Sequence, residues 1–168
     1  MSNKIEYGFA ESPFGPIIVA RTWDGICDLH FLGYNRMEVI HELGTRWGMY
    51  TPTTQSDVMA NTVERVLFEG YEHPLRLDVK GTPFQRMVWR ELLNIPFGTT
   101  ITYGELAERV GKPNAVRNVT AAVEQNPVAV LIPSHRVIMS DGTPGTYHWG
   151  TEIKQQLLEW EHRKATSK

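Results

Sequence analysis

The stretch that decides the fold is GTPFQRMVWRELLNIPFGTTITYGELAERVGKPNAVRNVTAAVEQN, residues 81–126. It contains two Thr-x-x-Gln/Glu pairs, Thr82 with Gln85 and Thr102 with Glu105. This is the spacing of a capping box, in which the two side chains satisfy free backbone N–H groups at the start of a helix. The sequence therefore predicts that one helix begins after Thr82 and another after Thr102.

Breaker residues predict where these helices end. Pro96 follows the first helix, and Gly111 ends the second. After the short turn KPN, a further helix is expected from Asn114, as its N-cap, to Asn126, where the following proline forbids continuation. Two short helices joined by a tight glycine-containing turn predict a helix-turn-helix over residues 102–126.

The last of these helices has one apolar and one polar face. Val116, Val119 and Val123 recur at helical spacing. The opposite, outward face is then expected to carry Arg117, Thr120, Ala121 and Glu124. A face of small residues with one cation fits a DNA groove, but a plain helical hairpin packed on a core has the same pattern.

The first third of the chain alternates in the manner of β-strands. GPIIVARTWDGICDLHFLG, residues 15–33, has two β-rich runs separated by TWDG, whose Asp-Gly pair signals a hairpin. Residues 57–70 have helical spacing, with an apolar stripe through Val58, Thr62, Val63, Val66 and Leu67 that closes at Gly70. A two- or three-stranded sheet with one or two helices is expected.

The fold class expected from these patterns is α/β in the sense of α+β, with two parts. A small amino-terminal sheet-plus-helix subdomain should occupy residues 1–79. A helical carboxy-terminal domain, residues 80–168, should contain the helix-turn-helix and an active-site loop at residues 126–138. The chain of 168 residues is long enough to bury a core of its own.

Composition excludes several classes of function. The one cysteine, Cys27, cannot form an internal disulfide or a thiolate-rich metal site, and MSNKIEYGF has no apolar stretch typical of a signal peptide. No run approaches the roughly 18 apolar residues of a membrane span. We therefore expect a soluble, cytoplasmic protein with no cofactor, no metal and no membrane partner.

Charge is uneven along the chain, although the net charge is only -2. Residues 80–136 carry seven Lys and Arg against four Asp and Glu, and they form the only basic third. An anionic partner is expected there, although an ordinary solvated face has a similar balance.

Two quoted stretches carry a family resemblance. KGTPFQRMVWRELLNIPFGTTITYGELAERVGKPNAVRNVTAAVEQNPVAVLIPSHRVI, residues 80–138, and GTYHWGTEIKQQLLEWE, residues 145–161, resemble the O6-alkylguanine-DNA alkyltransferase family in its Ada-type bacterial branch. SPFGPIIVA and DGICDLHFLG resemble the small α/β subdomain of its full-length members. The resemblance implies a monomeric, nucleoid-associated bacterial protein whose partner is double-stranded DNA carrying O6-alkylguanine, and whose family activity is methylated-DNA-protein-cysteine S-methyltransfer.

The family signature is Pro-Cys-His-Arg-Val, in which the cysteine takes the alkyl group irreversibly from a flipped guanine. In LIPSHRVI, residues 131–138, Ser134 stands at the cysteine's position. By position, the resemblance implies that His135 deprotonates the acceptor through a water. It likewise implies that Glu161 orients and polarises His135, and that Asn126 braces the loop before the acceptor.

Contacts with DNA and lesion are also implied by the resemblance. Tyr103 would assist flipping and donate to the base, and Arg117 would fill the gap left in the stack, on a minor-groove face that includes Thr120 and Ala121. The alkyl pocket would be lined by Tyr103, Val128, Tyr147, His148 and Trp149, with His148 and Trp149 as a lid. Asn118 and Thr120 replace the family's smaller residues, and Glu124 should repel phosphate, so weak DNA affinity is expected.

Serine changes the chemistry at the acceptor position. A thiol with a pKa of about 8.5 yields a thiolate readily. If the alcohol's pKa is about that of bulk water, 15.7, its alkoxide costs on the order of 10 kcal/mol more. Displacement at an alkyl carbon offers no oxyanion for the protein to stabilise. Ser134 is therefore expected to abolish or severely impair transfer and to leave the lesion pocket intact.

Four interpretations of Ser134 and its surroundings stay open. The serine is either an engineered replacement in a repair enzyme or native to a lesion sensor that recruits other repair proteins, although sensor-type relatives usually carry tryptophan there and often lack the amino-terminal subdomain. The third interpretation is a hydrolytic triad of Ser134, His135 and Glu161. The sequence lacks the G-x-S-x-G nucleophile elbow that would support it. A helix-turn-helix transcription regulator is the fourth.

Overall fold

A computed structural model describes residues 4–33, 35–48 and 51–167. The chain divides into two compact units between Lys80 and Gly81, one residue after the expected boundary. The mixed α+β class is confirmed, with a sheet in the amino-terminal unit and helices in the carboxy-terminal unit. In the described ranges, none of the helices has the length and apolarity to cross a membrane.

The amino-terminal unit is built on a four-stranded sheet in the order β3-β2-β1-β4. The strands are β1 (Ile5–Ser12), β2 (Gly15–Arg21), β3 (Ile26–Phe31) and β4 (Thr53–Gln55). The first three pair antiparallel, and β4 pairs parallel with β1. The predicted hairpin is present between β2 and β3, but the expectation of two or three strands was wrong because β4 is fully exposed and gives no apolar alternation.

Two helices belong to this unit, α1 (Arg36–Trp47) and α2 (Asp57–Phe68). Ser56 caps α2 by accepting a hydrogen bond from the Met59 N–H. The predicted stripe was wrong at its first position, because Val58 is 78% exposed. The helix instead buries Met59, Ala60, Val63, Glu64 and Phe68. A Cβ at Gly8 would lie 2.1 Å from the Ser56 carbonyl oxygen, so glycine allows the start of α2 to approach β1 closely.

One buried polar group stands out in this unit. The carboxylate of Asp28, 3% exposed, lies 3.0 Å from the Nε2 of His30 and accepts a 2.8 Å hydrogen bond from the indole of Trp47. It also pairs with the guanidinium of Arg46. We call these four residues the Asp28 cluster. It ties β3 to the end of α1.

The carboxy-terminal unit contains four helices and one small parallel strand pair among its described residues. These are α3 (Pro83–Leu92), β5 (Ile101–Thr102), α4 (Tyr103–Arg109), α5 (Val116–Glu124), β6 (Val137–Ile138) and α6 (Thr151–Thr166). Strand β5 pairs with β6, and a single helical turn, Ser134–Arg136, precedes β6. The indole of Trp89 donates to the Ala122 carbonyl at 2.8 Å and so ties α3 to α5.

Both predicted capping boxes are confirmed. Thr82 accepts from the Gln85 N–H at 3.1 Å, and the Gln85 side chain accepts from the Thr82 N–H at 2.9 Å. Thr102 and Glu105 form the same reciprocal pair at 3.1 and 3.2 Å. Each pair satisfies donors that a helix start otherwise leaves free, so these helix starts are set locally.

The start of α5 differs from the prediction. Its N-cap is Ala115, not Asn114, and no side chain caps it. Val116 is 37% exposed, and Ala122 is buried beside Val119 and Val123 instead. The buried residues of α5 therefore lie from Val119 onwards, and the Ala122 carbonyl among them accepts the hydrogen bond from Trp89 of α3.

Candidate functional site

A fully buried amide organises the loop that carries Ser134. The Nδ2 of Asn126 donates to the Ile132 carbonyl at 2.8 Å and to the Ser134 Oγ at 2.9 Å, and its Oδ1 accepts from the Val128 N–H at 2.9 Å. Asn126 is 0% exposed. With both donors and its acceptor engaged, the side chain fixes the loop backbone and the Ser134 hydroxyl relative to each other.

The same loop holds one residue in an unusual conformation. Val130 has a φ of 69°, and among the described residues no other non-glycine residue has a positive φ. A β-branched residue in this region costs of order 1–3 kcal/mol. Two short-range hydrogen bonds within the loop, Ile132 N–H to the Val128 carbonyl at 3.1 Å and Ser134 N–H to the Ile132 carbonyl at 2.8 Å, accompany the Asn126 contacts. The strain is held next to Ser134, as is common at functional sites.

Next to Ser134 lies a buried ionic group that joins His135 and Arg136 to Glu161 on α6. The Nε2 of His135 lies 2.8 Å from the Oε2 of Glu161, and Arg136 donates to both carboxylate oxygens at 2.9 and 2.8 Å. Arg136 also donates to the Ile95 carbonyl at 2.8 Å. We call His135, Arg136 and Glu161 the Glu161 cluster. Its bidentate Arg–carboxylate geometry is the strong and specific form of such a pair.

The charges in this cluster follow from burial and pairing. Burial alone would raise the pKa of Glu161, but the hydrogen bonds and charges of His135 and Arg136 outweigh it and lower that pKa to about 2. Burial lowers the pKa of His135, against the opposing effect of Glu161 and with the charges of Arg136 and Lys154 adding to the decrease. The site therefore holds a carboxylate beside a neutral imidazole, whose Nε2–H donates to Glu161 and whose Nδ1 carries the lone pair.

Two buried polar atoms in the site have no hydrogen bond of normal geometry to the protein. Among the described residues, the buried side-chain nitrogens and oxygens without a hydrogen bond are the Nδ1 of His135 and the hydroxyl of Tyr147. Burial raises the pKa of the Tyr147 hydroxyl well above its ordinary value, while the nearby Ser134 side chain opposes that rise. Buried polar groups are nearly always satisfied, so this pair of open positions marks a place for ligand or solvent atoms.

A buried lysine lies at the other wall of the site. The Nζ of Lys154, whose residue is 0% exposed, donates to the Thr146 carbonyl at 3.0 Å and to the Tyr103 hydroxyl at 3.3 Å. Burial lowers the pKa of Lys154 to about 8, against the opposing charge of Glu124. Burial and the same charge raise the pKa of Tyr103. The Tyr103 hydroxyl thus stays protonated and able to donate.

The segment before α6 is fastened to the end of α5. The Thr146 hydroxyl donates to the carboxylate of Glu124, and the Nδ1 of His148 lies 2.8 Å from the Glu124 carbonyl oxygen. The ring of Trp149 packs edge-on against Tyr147 at 5.1 Å between centroids. Glu124, expected to point freely outwards, instead holds this segment.

The residues predicted to contact DNA lie on one face of α5. Arg117 and Ala121 are exposed, whereas the Thr120 hydroxyl donates back to the Val116 carbonyl at 2.8 Å. A hollow of about 270 Å³ lies between this face and the start of α3, where Asn118 and Ala121 are among the lining residues. The larger hollow, about 730 Å³, lies in the amino-terminal unit and includes none of the predicted site residues.

The predicted acceptor, base, orienting and bracing residues are close together in the structure. Ser134 contacts Asn126, and His135 contacts Glu161. Val128 is buried on the same loop, and the Tyr147 hydroxyl lies near the Ser134 side chain. His148 is exposed and Trp149 half-buried. Within the described residues, no group of three or more His, Cys, Asp and Glu side chains could hold a metal ion.

Sequence reasoning missed Arg136 and Lys154. Arg136 was read only as part of the family signature, although it binds both oxygens of Glu161. Lys154, Leu157 and Glu161 lie three and four residues apart, which places all three on one helix face. That face is buried. The spacing of Lys154 from Leu157 and Glu161 could therefore have predicted its burial, but the many charged residues of this helix made it resemble an ordinary exposed helix.

Comparison with known proteins finds matches to both units of the chain. Two family models match, "6-O-methylguanine DNA methyltransferase, DNA binding domain" over residues 83–163 and "6-O-methylguanine DNA methyltransferase, ribonuclease-like domain" over residues 5–63. A methylated-DNA–protein-cysteine methyltransferase of Methanosarcina barkeri is 38% identical over 156 residues, which are 92% of this chain and 96% of the relative. The Escherichia coli bifunctional transcriptional activator/DNA repair enzyme Ada is 36% identical over 162 residues, 94% of this chain, but the match spans only 45% of Ada.

Solved structures are similar along nearly the whole chain. The crystal structure of Mycobacterium tuberculosis O6-methylguanine methyltransferase has a TM-score of 0.78 at 32% identity and covers 98% of this chain and 96% of its own. The same organism's OGT in complex with DNA has a TM-score of 0.76 at 31% identity, covering 95% and 94%. The fold is thus that of a DNA-repair methyltransferase class. The chain belongs to the 6-O-methylguanine DNA methyltransferase family, as the sequence resemblance predicted.

Proposed function

We propose that this chain binds duplex DNA, holds an O6-alkylguanine turned out of the helix beside Ser134, and does not accept its alkyl group. Support for DNA as partner comes from the DNA complex of the M. tuberculosis relative. Support for the lesion site comes from the buried loop that presents Ser134. The function is lesion recognition with the transfer step disabled.

The observation that carries this proposal is the pair of open polar positions next to Ser134. The frame around them is hydrogen-bonded, since Asn126, Arg136 and Glu161 all have partners. Among the buried side-chain nitrogens and oxygens of the described residues, only the His135 Nδ1 and the Tyr147 hydroxyl lack one. An extruded guanine has acceptors and donors along its edge, and such bases are read by hydrogen bonds in a close-fitting pocket.

Ser134 explains why the alkyl group stays on the base. Its oxygen already accepts a hydrogen bond from Asn126. Loss of its proton costs on the order of 10 kcal/mol more than for a thiol, and the lowered pKa of His135 makes the imidazole a weak base. With a thiol at this position, His135 takes the proton through a bridging water and Glu161 stabilises the resulting imidazolium.

DNA contact is assigned to the exposed face of α5. Arg117 lies in the first turn and Ala121 one turn on, both exposed. The small side chain of Ala121 suits close approach to a minor groove, and the positively charged Arg117 enters the space that the extruded base vacates. Tyr103, the first residue of α4, donates through its hydroxyl to the extruded base.

Ser134 and His135 do not form the hydrogen bond that a hydrolytic triad requires. Ser134 pairs with Asn126 and His135 with Glu161, whereas a serine hydrolase needs its nucleophile hydrogen-bonded to the histidine. No feature of the site therefore favours ester hydrolysis over lesion binding.

The test is lesion selectivity at fixed ionic strength. The chain should bind a duplex with one O6-methylguanine more tightly than the matched undamaged duplex, as measured by fluorescence anisotropy. Tyr147→Phe removes one open polar position and should reduce this selectivity while leaving affinity for undamaged DNA unchanged. Equal affinity of the parent chain for both duplexes would refute the proposal.

A further inference from the structure

The segment Thr146–His148 is anchored to Glu124 on both sides of Tyr147. The hydroxyl of Thr146, one residue before Tyr147, donates to the Glu124 carboxylate. The ring nitrogen of His148, one residue after it, lies 2.8 Å from the Glu124 backbone carbonyl. Tyr147 is therefore held between two contacts to one residue, the last of α5.

We propose that Glu124 is a positioning residue that sets how far Tyr147 reaches towards Ser134, and thereby restricts the lesion pocket to small O6 substituents. The inference rests on the proposed function and deepens it, because it names the substrate class as small alkyl groups. Glu124 acts through the loop and makes no contact with the lesion itself.

The backbone of this segment belongs to no helix or strand. Gly145, with a φ of 76°, and Gly150, with a φ of 104°, lie on either side of the segment, and both are in the left-handed region. A Cβ at Gly145 would lie 3.1 Å from the Met139 side chain, so the start of the segment also passes close to the turn that begins at Met139. Side-chain contacts, rather than regular secondary structure, must then fix the position of Tyr147.

Thr146 is the point where these contacts meet. Its hydroxyl pairs with Glu124, and its carbonyl accepts from Lys154 at 3.0 Å and from Tyr103 at 3.5 Å. The carbonyl contacts hold the backbone on the α6 side, and Glu124 holds it on the α5 side. Without the Glu124 carboxylate, Thr146 keeps only its carbonyl contacts with Lys154 and Tyr103. Tyr147 can then move away from Ser134.

Glu124 has a second conceivable effect, simple repulsion of DNA phosphates by its negative charge. Repulsion acts equally on damaged and undamaged duplexes and on every O6 substituent. Positioning of Tyr147 acts on the ratio between small and large substituents. The two effects can be separated because glutamine removes the charge and keeps an acceptor for the Thr146 hydroxyl.

The experiment measures binding of three otherwise identical duplexes, carrying guanine, O6-methylguanine or O6-benzylguanine. The parent should bind the methyl lesion more tightly than the benzyl lesion. In Glu124→Ala and in Thr146→Val, the methyl-to-benzyl ratio should fall about fivefold, the equivalent of one ordinary hydrogen bond. Thr146→Ser keeps the hydroxyl and should retain the parent ratio.

Two controls accompany these variants. Glu124→Gln should raise affinity for all three duplexes together and keep the ratio within about twofold of the parent. Glu108→Ala removes one exposed acidic charge from α4 and should leave the ratio alone. Thermal melting of each variant reports whether it is folded. If Glu124→Ala does not fold, Thr146→Val provides the test.

Two results would overturn the inference. One is an unchanged ratio in both Glu124→Ala and Thr146→Val. The other is a Glu124→Gln variant that matches Glu124→Ala on all three duplexes, which would leave charge repulsion as the only effect. Failure of the proposed function looks different, because the parent itself would then bind all three duplexes equally.

Discussion

Each unit of the chain buries one carboxylate against a histidine and an arginine, and the two groups differ in what they leave unsatisfied. The Asp28 cluster joins β3 to α1 and adds an indole donor from Trp47. The Glu161 cluster joins α6 to the segment after Ser134. In chemical type the two are nearly the same, so the residue types alone do not distinguish structure from function.

The difference lies in the open hydrogen-bonding positions. The described residues of the amino-terminal unit leave no buried side-chain nitrogen or oxygen without a partner, whereas the site beside the Glu161 cluster leaves the His135 Nδ1 and the Tyr147 hydroxyl open. Satisfied buried polar groups hold a fold together, and unsatisfied ones need a reason. The exposure of the arginines differs too, at 44% for the Arg46 side chain and 12% for Arg136.

The largest expected effect is restored alkyl transfer in Ser134→Cys. This variant has two thiols, one beside each cluster. Burial first, then the charge and hydrogen bond of Asp28, raise the pKa of Cys27 to about 12, so that thiol stays protonated. The thiol at position 134 lies beside His135 and should take one methyl group per chain from a duplex carrying O6-methylguanine, with a barrier lower than the serine's by on the order of 10 kcal/mol.

Mass spectrometry of peptides from the reacted protein locates the adduct. The parent and Ser134→Ala should carry none over the same time, and Ser134→Cys with His135→Gln should react far more slowly. An adduct on Cys27, or none at position 134, would contradict the assignment of the two clusters to structure and function.

Sequence reasoning succeeded where the determinants are local. The two capping boxes set the starts of α3 and α4 through residues three apart, and the Asp-Gly turn set the β2–β3 hairpin. It failed where the determinants are distant. Strand β4 is held by pairing with β1 rather than by its own pattern, and α1 buries only Leu43.

The site shows the same division. Ser134, His135, Asn126 and Glu161 were named because they resemble a family motif, and their contacts span up to 26 residues that no spacing rule relates. The contact of Glu124 with Thr146 spans 22 residues and belongs to no motif, so the sequence predicted only a repulsive surface charge. Tertiary contacts between short helices and loops cannot be predicted from the spacing of residues in the sequence.

A second, smaller effect should separate the clusters by stability. Glu161→Gln removes the charge that neutralises Arg136, whose side chain is only 12% exposed. Stranding a buried guanidinium costs about 3–5 kcal/mol. Asp28→Asn leaves Arg46, 44% exposed, free to turn towards solvent, and should cost about 1–3 kcal/mol. Hydrogen exchange measured by mass spectrometry gives the opening free energy of each unit separately.

Exposed acids supply the matched controls for these two variants. Glu108→Gln in the carboxy-terminal unit and Glu42→Gln in the amino-terminal unit remove the same charge from the surface and should change stability by less than about 0.5 kcal/mol. Equal costs for Glu161→Gln and Asp28→Asn would mean that arginine exposure does not set the cost of breaking such a cluster.

The smallest expected effect is the pH dependence of the Glu161 contribution. Its pKa is about 2 in the folded chain and about 4.3 when unfolded. Because the folded value is depressed, the stabilisation is complete above about pH 5 and is lost as pH falls towards 2, by about 3 kcal/mol in all. The stability difference between the parent and Glu161→Gln in the carboxy-terminal unit should therefore shrink over that window, while the Glu108→Gln difference stays near zero. A difference that is constant from pH 6 to about pH 2.5 would mean that Glu161 is not held ionised by His135 and Arg136, and the contrast with the Asp28 cluster would lose its electrostatic basis.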